Sequence, residues 1–234
     1  MNKDYFNKYI KYKLKYLNLK DVSINYENDI KDDNFEKCNL DNFKIDVYED
    51  FLTKEECNVI IELARPLLER SGVVQENSVS DDRTSTGVFL KTNMHPVLEK
   101  ISKKVSEITN IPIENQEDIQ VVNYQKGQYY NEHYDECFED TKECKESSKS
   151  GRRKNTFFIY LNNVEKGGFT GFPNISKKVI PKLGRAVSWN NILESDGNII
   201  NDPCSLHIGI KPDQGEKWAL TVWSRDRKFE HSSN

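Results

Sequence analysis

From Ile111 onward the chain is cut into short strand-like segments by glycine, proline and asparagine turns, and this limits the fold more than any other feature. The segments fall near Ile119–Tyr124, Asn155–Asn162, Lys177–Pro181, Ala186–Trp189, Ser205–Ile210 and Lys217–Ser224. Gly167-Gly168 and Asp196-Gly197 mark turns among them. Many short strands closed by such turns predict a barrel or a two-sheet jelly roll. Residues 136–154 interrupt the series as a charged, Ser-rich insertion, expected to be a mobile loop.

Two amphipathic helices precede the strands. Thr53 and Glu56 fit a capping box, in which each side chain satisfies the other residue's backbone N–H. Cys57, Ile60, Ile61, Ala64, Leu67 and Leu68 follow at helical spacing, with Pro66 expected to kink or shorten the helix. A second helix is predicted from about Pro96 to Ile108, with Leu98, Ile101, Val105 and Ile108 on one face. Lys44–Phe51 reads as a strand at the start of the domain. The fold class is therefore α+β.

The 234 residues suit one domain of good size, or one domain plus an extension. Residues 1–44 differ from the rest and are expected to be that extension. Met1–Lys20 is Lys- and Tyr-rich, with Phe6, Ile10, Leu14 and Leu17 at helical spacing. A solvated or loosely docked helix is the simpler reading, and a basic arm for targeting, packaging or membrane-surface contact is the sharper one. Asp21–Asn42 is acidic and Asn-rich, as a linker would be. The domain then spans 45–228, and 229–234 is a polar tail. A net charge of −4 gives no reason to expect nucleic acid as a partner. No apolar run reaches the ~18 residues a membrane-spanning helix needs. Met1–Leu19 lacks the continuous apolar stretch of a signal peptide. Five cysteines, Cys38, Cys57, Cys137, Cys144 and Cys204, are an odd and sparse set. They predict a reducing compartment rather than a disulfide framework, with a Cys137–Cys144 pair across the insertion as the minor alternative.

His133-Tyr134-Asp135 is the first chemical signal. On an extended segment, residues two apart point to the same side, so His133 and Asp135 can aim at one point. Two histidines and one carboxylate on one face, with positions left open, make the donor set of non-haem Fe(II) oxygenases. Alone, such a triplet is commonplace. Of the other histidines, His231 lies in the polar tail and His95 precedes Pro96 as a helix cap or surface residue, whereas His207 lies within a predicted strand. Lys217 follows His207 by ten residues and opens the apolar run Trp218-Ala-Leu-Thr-Val-Trp223. It either pairs with a dicarboxylate inside the barrel or sits at a strand end with its ammonium in water.

Longer segments give the signal specificity. Tyr124-Gln-Lys-Gly-Gln-Tyr-Tyr130-Asn-Glu-His133-Tyr-Asp135 resembles the metal-binding segment of the prolyl 4-hydroxylase family. Arg153-Lys-Asn-Thr156-Phe-Phe-Ile-Tyr160 with Gly167-Gly168-Phe-Thr170-Gly-Phe-Pro173 is similar to that family's next strand and its Gly-Gly-x-Thr-x-Phe-Pro turn. Pro181-Lys-Leu-Gly184, the His207–Lys217 spacing and Arg83-Thr84-Ser85 add to the likeness, which covers about residues 44–226.

The resemblance implies a double-stranded β-helix core and an Fe(II)- and 2-oxoglutarate-dependent dioxygenase, with O2 as oxidant and ascorbate as supporting reductant. It implies Fe(II) on His133, Asp135 and His207, and 2-oxoglutarate on Lys217 and Tyr124, with Tyr160 lining the same pocket. Tyr130, Arg153 and Trp223 would meet the peptidyl proline, and Arg83 would belong to a loop closing over the peptide. The implied substrate is a proline-containing peptide or a collagen-like protein. The insertion before Arg153 is longer than a minimal member would carry, which leaves peptide preference open. The same fold with another substrate, a metal-bearing binding module and a structural virion protein are the rivals. The Lys/Tyr-rich arm resembles extensions on proteins of large DNA viruses, so a cytoplasmic or virion-associated location is expected.

Overall fold

The computed structural model describes residues 38, 40–71, 82–137, 144–145, 148–195 and 197–230. The predicted N-terminal helix, most of the linker, most of the 136–147 stretch and His231 lie outside the described residues.

The described chain holds two α-helices, α1 (Lys54–Ala64) and α2 (Pro96–Thr109), among fifteen strands. Strands β1 (Asp46–Tyr48), β2 (Glu69–Arg70), β3 (Thr86–Leu90), β4 (Ile119–Tyr124) and β5 (Tyr130–His133) come first. Then follow β6 (Arg153–Tyr160), β7 (Lys166–Gly167), β8 (Thr170–Phe172), β9 (Lys177–Val179) and β10 (Ala186–Asn190). The last are β11 (Ile192–Ser195), β12 (Asn198–Asn201), β13 (His207–Gly209), β14 (Pro212–Gln214) and β15 (Lys217–Arg225). A seven-stranded sheet runs in the order β1-β10-β6-β15-β4-β3-β2, and a four-stranded sheet in the order β5-β13-β8-β9. Every pairing is antiparallel. This is an α+β fold with a jelly-roll core.

Alternation along the strands of the large sheet builds two different faces. Trp218, Leu220 and Val222 of β15, Phe157 and Ile159 of β6, and Ile119 and Val121 of β4 pack with Cys57, Ile60, Leu98, Ile101 and Val105 of the helices. The residues between them point the other way. There Tyr160, Val187 and Trp189 of the large sheet pack with Phe172 and Val179 of the small one. Burying such large apolar side chains contributes about 1.5–3 kcal/mol each. The helical face supplies the main core, and the opposite face, where the sheets meet, carries the polar residues described below.

Local chemistry explains most boundaries. Thr53 accepts from the Glu56 N–H (3.2 Å) and Glu56 from the Thr53 N–H (2.9 Å), so the capping box forms as expected. The helix ends at Ala64 and tightens into a 3-10 turn over Arg65–Leu67, because Pro66 has no N–H to continue the ladder. His95 is the N-cap of α2, accepting from the Val97 N–H at 3.1 Å. The strand expected over Ser205–Ile210 is shorter: a turn occupies Pro203–Ser205 and β13 starts at His207. Gly184 adopts a positive φ of 75°, and a Cβ there would lie 2.2 Å from the Leu52 carbonyl oxygen. The Pro-x-x-Gly entry to β10 therefore needs glycine.

The cysteine expectation is corrected. Cys38 pairs with Cys204 and Cys137 with Cys144, with Cα–Cα distances of 5.1 and 5.4 Å. Only Cys57 is free, and burial pushes its thiol up to about 11. Cys38 and Cys204 are 166 residues apart, so only the fold reveals the partnership. The pair ties the segment before β1, expected from the sequence to be linker, to the turn that precedes His207.

Candidate active site

His133 ends β5 and His207 begins β13, and the two stand opposite each other in the strand pairing. Asp135 lies two residues beyond His133. Its Oδ1 is 3.8 Å from His133 Nε2 and 3.7 Å from His207 Nε2. One ligand atom from each of the three lies within 4.8 Å of the others. The carboxylate–imidazole separations of 3.8 and 3.7 Å suit an ion with bonds of roughly 2.0–2.2 Å. His133 Nδ1–H donates to the Asn131 carbonyl (2.7 Å), and His207 Nδ1–H to the Ser205 carbonyl (2.9 Å). Both rings thus present an Nε2 lone pair to the common point.

Protonation states agree with that role. Burial would raise the Asp135 carboxyl, but His207, His133, Arg153 and the Thr156 hydroxyl together bring it down to about 2. Burial, aided by His207, holds the His133 imidazole well below its usual range. A metal needs an ionised carboxylate and neutral imidazoles. The surroundings keep water from the ligands: Trp189 meets the His207 ring with centroids 4.9 Å apart, and Tyr130 stacks on His133 at 3.5 Å.

Lys217 opens β15 with its side chain on the inner face. It is 2% exposed. Its Nζ lies 5.2–5.4 Å from the rings of Phe158, Tyr124 and Tyr160. Among the described residues no carboxylate meets the ammonium, and burial pushes its pKa down to about 7. The strand-end reading, with the ammonium in water, is thereby set aside. A cation held in an aromatic pocket without an anion fits the carboxylate of a bound co-substrate. Tyr160 contributes only its ring, since its hydroxyl donates to the Val179 carbonyl (3.0 Å) and lies 2.7 Å from Thr170 Oγ1.

A third group forms the rim. The Arg83 guanidinium lies over Tyr130 at 4.8 Å and donates to Ser85 Oγ and Gln120 Oε1. Arg83 is buried in this position, and the adjoining residues 72–81 lie outside the described residues. Arg153 covers Trp223 at 3.8 Å and donates twice to the Glu117 carboxylate, at 2.6 and 2.8 Å. Arg225 donates to the same carboxylate at 2.8 Å. Arg153 also donates to the Asp135 carbonyl (3.1 Å), linking the rim to the triad. Among the described residues the buried Trp223 indole N–H has no hydrogen-bond partner.

The profile of the 2OG-Fe(II) oxygenase superfamily matches residues 119–225, which include the triad and Lys217. Prolyl 4-hydroxylase 2 of Arabidopsis thaliana is 38% identical over 217 residues, covering 80% of this chain and 70% of that protein. A putative prolyl 4-hydroxylase of Acanthamoeba polyphaga mimivirus is 35% identical over 216 residues, covering 91% and 85%. The chain belongs to the prolyl 4-hydroxylase family. The crystal structure of viral collagen prolyl hydroxylase from Paramecium Bursaria Chlorella virus-1, a 2OG complex, is similar in fold with a TM-score of 0.63 at 29% identity. That likeness covers 79% of this chain and 97% of the other. As a 2OG-Fe(II) oxygenase the protein uses Fe(II), 2-oxoglutarate and O2.

The candidate site residues of this prolyl 4-hydroxylase lie in the triad, the lysine pocket or the rim, whereas His95 caps α2 and His231 lies outside the described residues. Sequence reasoning missed Phe158, Glu117 and Thr156. Phe158 was within reach, since it is two residues from Tyr160 on the same strand and so faces the same pocket. Glu117 carried no signal, because nothing in sequence links it to Arg153 and Arg225.

Proposed function

We propose that His133 Nε2, Asp135 Oδ1 and His207 Nε2 hold one Fe(II), and that the Lys217 ammonium pairs with the far carboxylate of 2-oxoglutarate. Tyr124, Phe158 and Tyr160 wall that pocket. The reaction is hydroxylation of peptidyl proline to 4-hydroxyproline. When bound, Fe(II) with 2-oxoglutarate and O2 supplies the oxidising power for the C–H bond, and the co-substrate leaves as succinate and CO2. The protein orients the reactants and excludes water.

The observation that carries the reading is the close His133–Asp135–His207 triad together with a Lys217 buried among aromatic rings, where no carboxylate meets it among the described residues. Asp135 stays ionised and His133 neutral, so both are ready to ligate without losing or gaining a proton. Tyr130, Trp223, Arg153 and Arg83 then line the approach for a proline-containing or collagen-like peptide. The aromatic rings suit a prolyl ring. Ascorbate is the proposed reductant that keeps the metal ferrous between turnovers.

No helix among the described residues is long and apolar enough to cross a membrane. Two disulfides fit an oxidising setting better than a reducing cytoplasm. Of the two expected locations we therefore retain the virion-associated one.

The test is incubation with Fe(II), 2-oxoglutarate, ascorbate and a panel of proline-rich and collagen-like peptides, read by mass spectrometry. A gain of one oxygen on proline, absent from His133→Ala and Lys217→Ala, is the expected result. Decarboxylation of 2-oxoglutarate that no proline peptide ever couples to oxygen gain would overturn the substrate assignment.

A further inference from the structure

Hydrogen bonds leading to two of the three triad residues meet at Asn191, a residue outside the triad, the lysine pocket and the rim. Asn191 lies between β10 and β11 and is 0% exposed. Its backbone N–H donates to the Lys154 carbonyl at 2.9 Å, which anchors it beside β6. Its side-chain Nδ2 donates to Thr156 Oγ1 at 2.8 Å. An amide N–H can only donate, so the Thr156 hydroxyl keeps its single proton for another acceptor. The nearer acceptor is Asp135 Oδ2, at 2.5 Å, against 3.2 Å to Asn191 Oδ1.

The consequence falls on the carboxylate. With Oδ2 occupied by Thr156, Oδ1 is the oxygen presented to His133 and His207, at 3.8 and 3.7 Å. On its other side, the Asn191 carbonyl accepts from the Asp202 N–H at 2.9 Å. The Asp202 carbonyl accepts from the Ser205 N–H (2.9 Å) and the Ser205 hydroxyl (2.8 Å). The Ser205 carbonyl in turn accepts His207 Nδ1–H at 2.9 Å. One buried amide therefore reaches the carboxylate ligand through a side chain and the distal histidine through the backbone of a turn.

We propose that Asn191 and Thr156 are positioning residues of the metal centre, holding Asp135 to coordination through one oxygen and fixing its plane relative to His207. The inference rests on the reading of the triad as an Fe(II) site. Partners of this kind tune metal affinity by orienting ligands that would otherwise rotate. They also decide how many positions stay open, because a carboxylate that swings to bind through both oxygens takes one from the co-substrates.

The test uses the full chain and anaerobic titration with Co(II), whose absorption spectrum reports coordination. Thr156→Val removes the hydroxyl at nearly constant volume and should weaken Co(II) binding about 10–100-fold with a changed spectrum. Thr156→Ser restores the hydroxyl and should restore both affinity and spectrum, which a merely structural role of the residue would not require. Asn191→Asp keeps size but replaces the donor with an acceptor, drawing the Thr156 proton away, and should change the spectrum in the same sense. That variant also decides the matter if Thr156→Val does not fold. Unchanged affinity and spectrum in the folded variants would overturn the proposal, as would a loss in Thr156→Val that serine fails to rescue. Wild-type protein that binds no Co(II) would instead sink the metal-site reading itself.

Discussion

His133 and His207 face each other across the β5–β13 pair with ring centroids 4.1 Å apart, and each donates its Nδ1–H to the carbonyl two residues before it. Two strands of one sheet thus deliver two imidazoles in the same tautomer. Replacing either with alanine should lower metal affinity by more than the roughly 100-fold that a lost orienting partner costs, and abolish turnover. Equilibrium dialysis against Fe(II) under argon measures the first, and succinate formation the second. A His207→Ala protein that still holds iron like the wild type would remove His207 from the site.

The Lys217 pocket predicts a pH dependence. Without an anion, burial holds Lys217 at about 7. Below that value the ammonium is charged and ready to pair with a carboxylate. Above it the empty protein carries a neutral amine, and binding must take up a proton first. Apparent 2-oxoglutarate affinity should therefore be full below about pH 7 and fall as pH rises beyond it. Lys217→Arg keeps its charge throughout this range and should flatten the profile. Titration of an unreactive 2-oxoglutarate analogue between pH 6 and 9 checks both.

Glu117 accepts from Arg153 and Arg225, and all three are largely buried. Removing the shared carboxylate leaves two buried guanidinium groups without it. Glu117→Ala should cost about 3–5 kcal/mol of stability, read from urea unfolding. Because Arg153 also donates to the Asp135 carbonyl, the surviving folded protein should lose peptide affinity more than 2-oxoglutarate affinity. Equal loss of both would show that Glu117 acts on the whole domain rather than on the rim.

The Cys38–Cys204 link closes a sequence separation of 166 residues. Cys204→Ser should destabilise the domain by about 2–5 kcal/mol and lower Tm. Cys204 lies three residues before His207, so bound metal should recover part of the loss. A thermal scan with and without Mn(II) reads both effects.

The sequence made the periodic features legible. Capping at Thr53 and the Leu98, Ile101 and Val105 face of α2 are local and follow from spacing that the backbone imposes, whereas Ile108, expected on that face, is exposed. His133 and Asp135 were legible for the same reason, being two residues apart on an extended segment. Lys217 was ambiguous until the fold buried it, because position along a strand does not tell which end meets water. The disulfides, the Glu117 ion cluster and the Asn191–Thr156–Asp135 chain join residues from separate elements. Such contacts depend on strand order, and no local pattern encodes it. Shorter strands than expected, as at β1 and β13, reflect turns that tertiary hydrogen bonds stabilise.

Strand β15 turns its odd-numbered side chains, Lys217, Ala219, Thr221 and Trp223, to the side of the lysine pocket, and its even-numbered ones, Trp218, Leu220 and Val222, to the helical core. A slip of one residue would push an ammonium in among the helices and turn two indoles and a leucine around at once. Such a slipped isomer forfeits the core together with the site. The protein therefore has little access to a well-folded but inactive neighbour, and anything that selects for a compact, stable chain also selects for a correctly placed lysine.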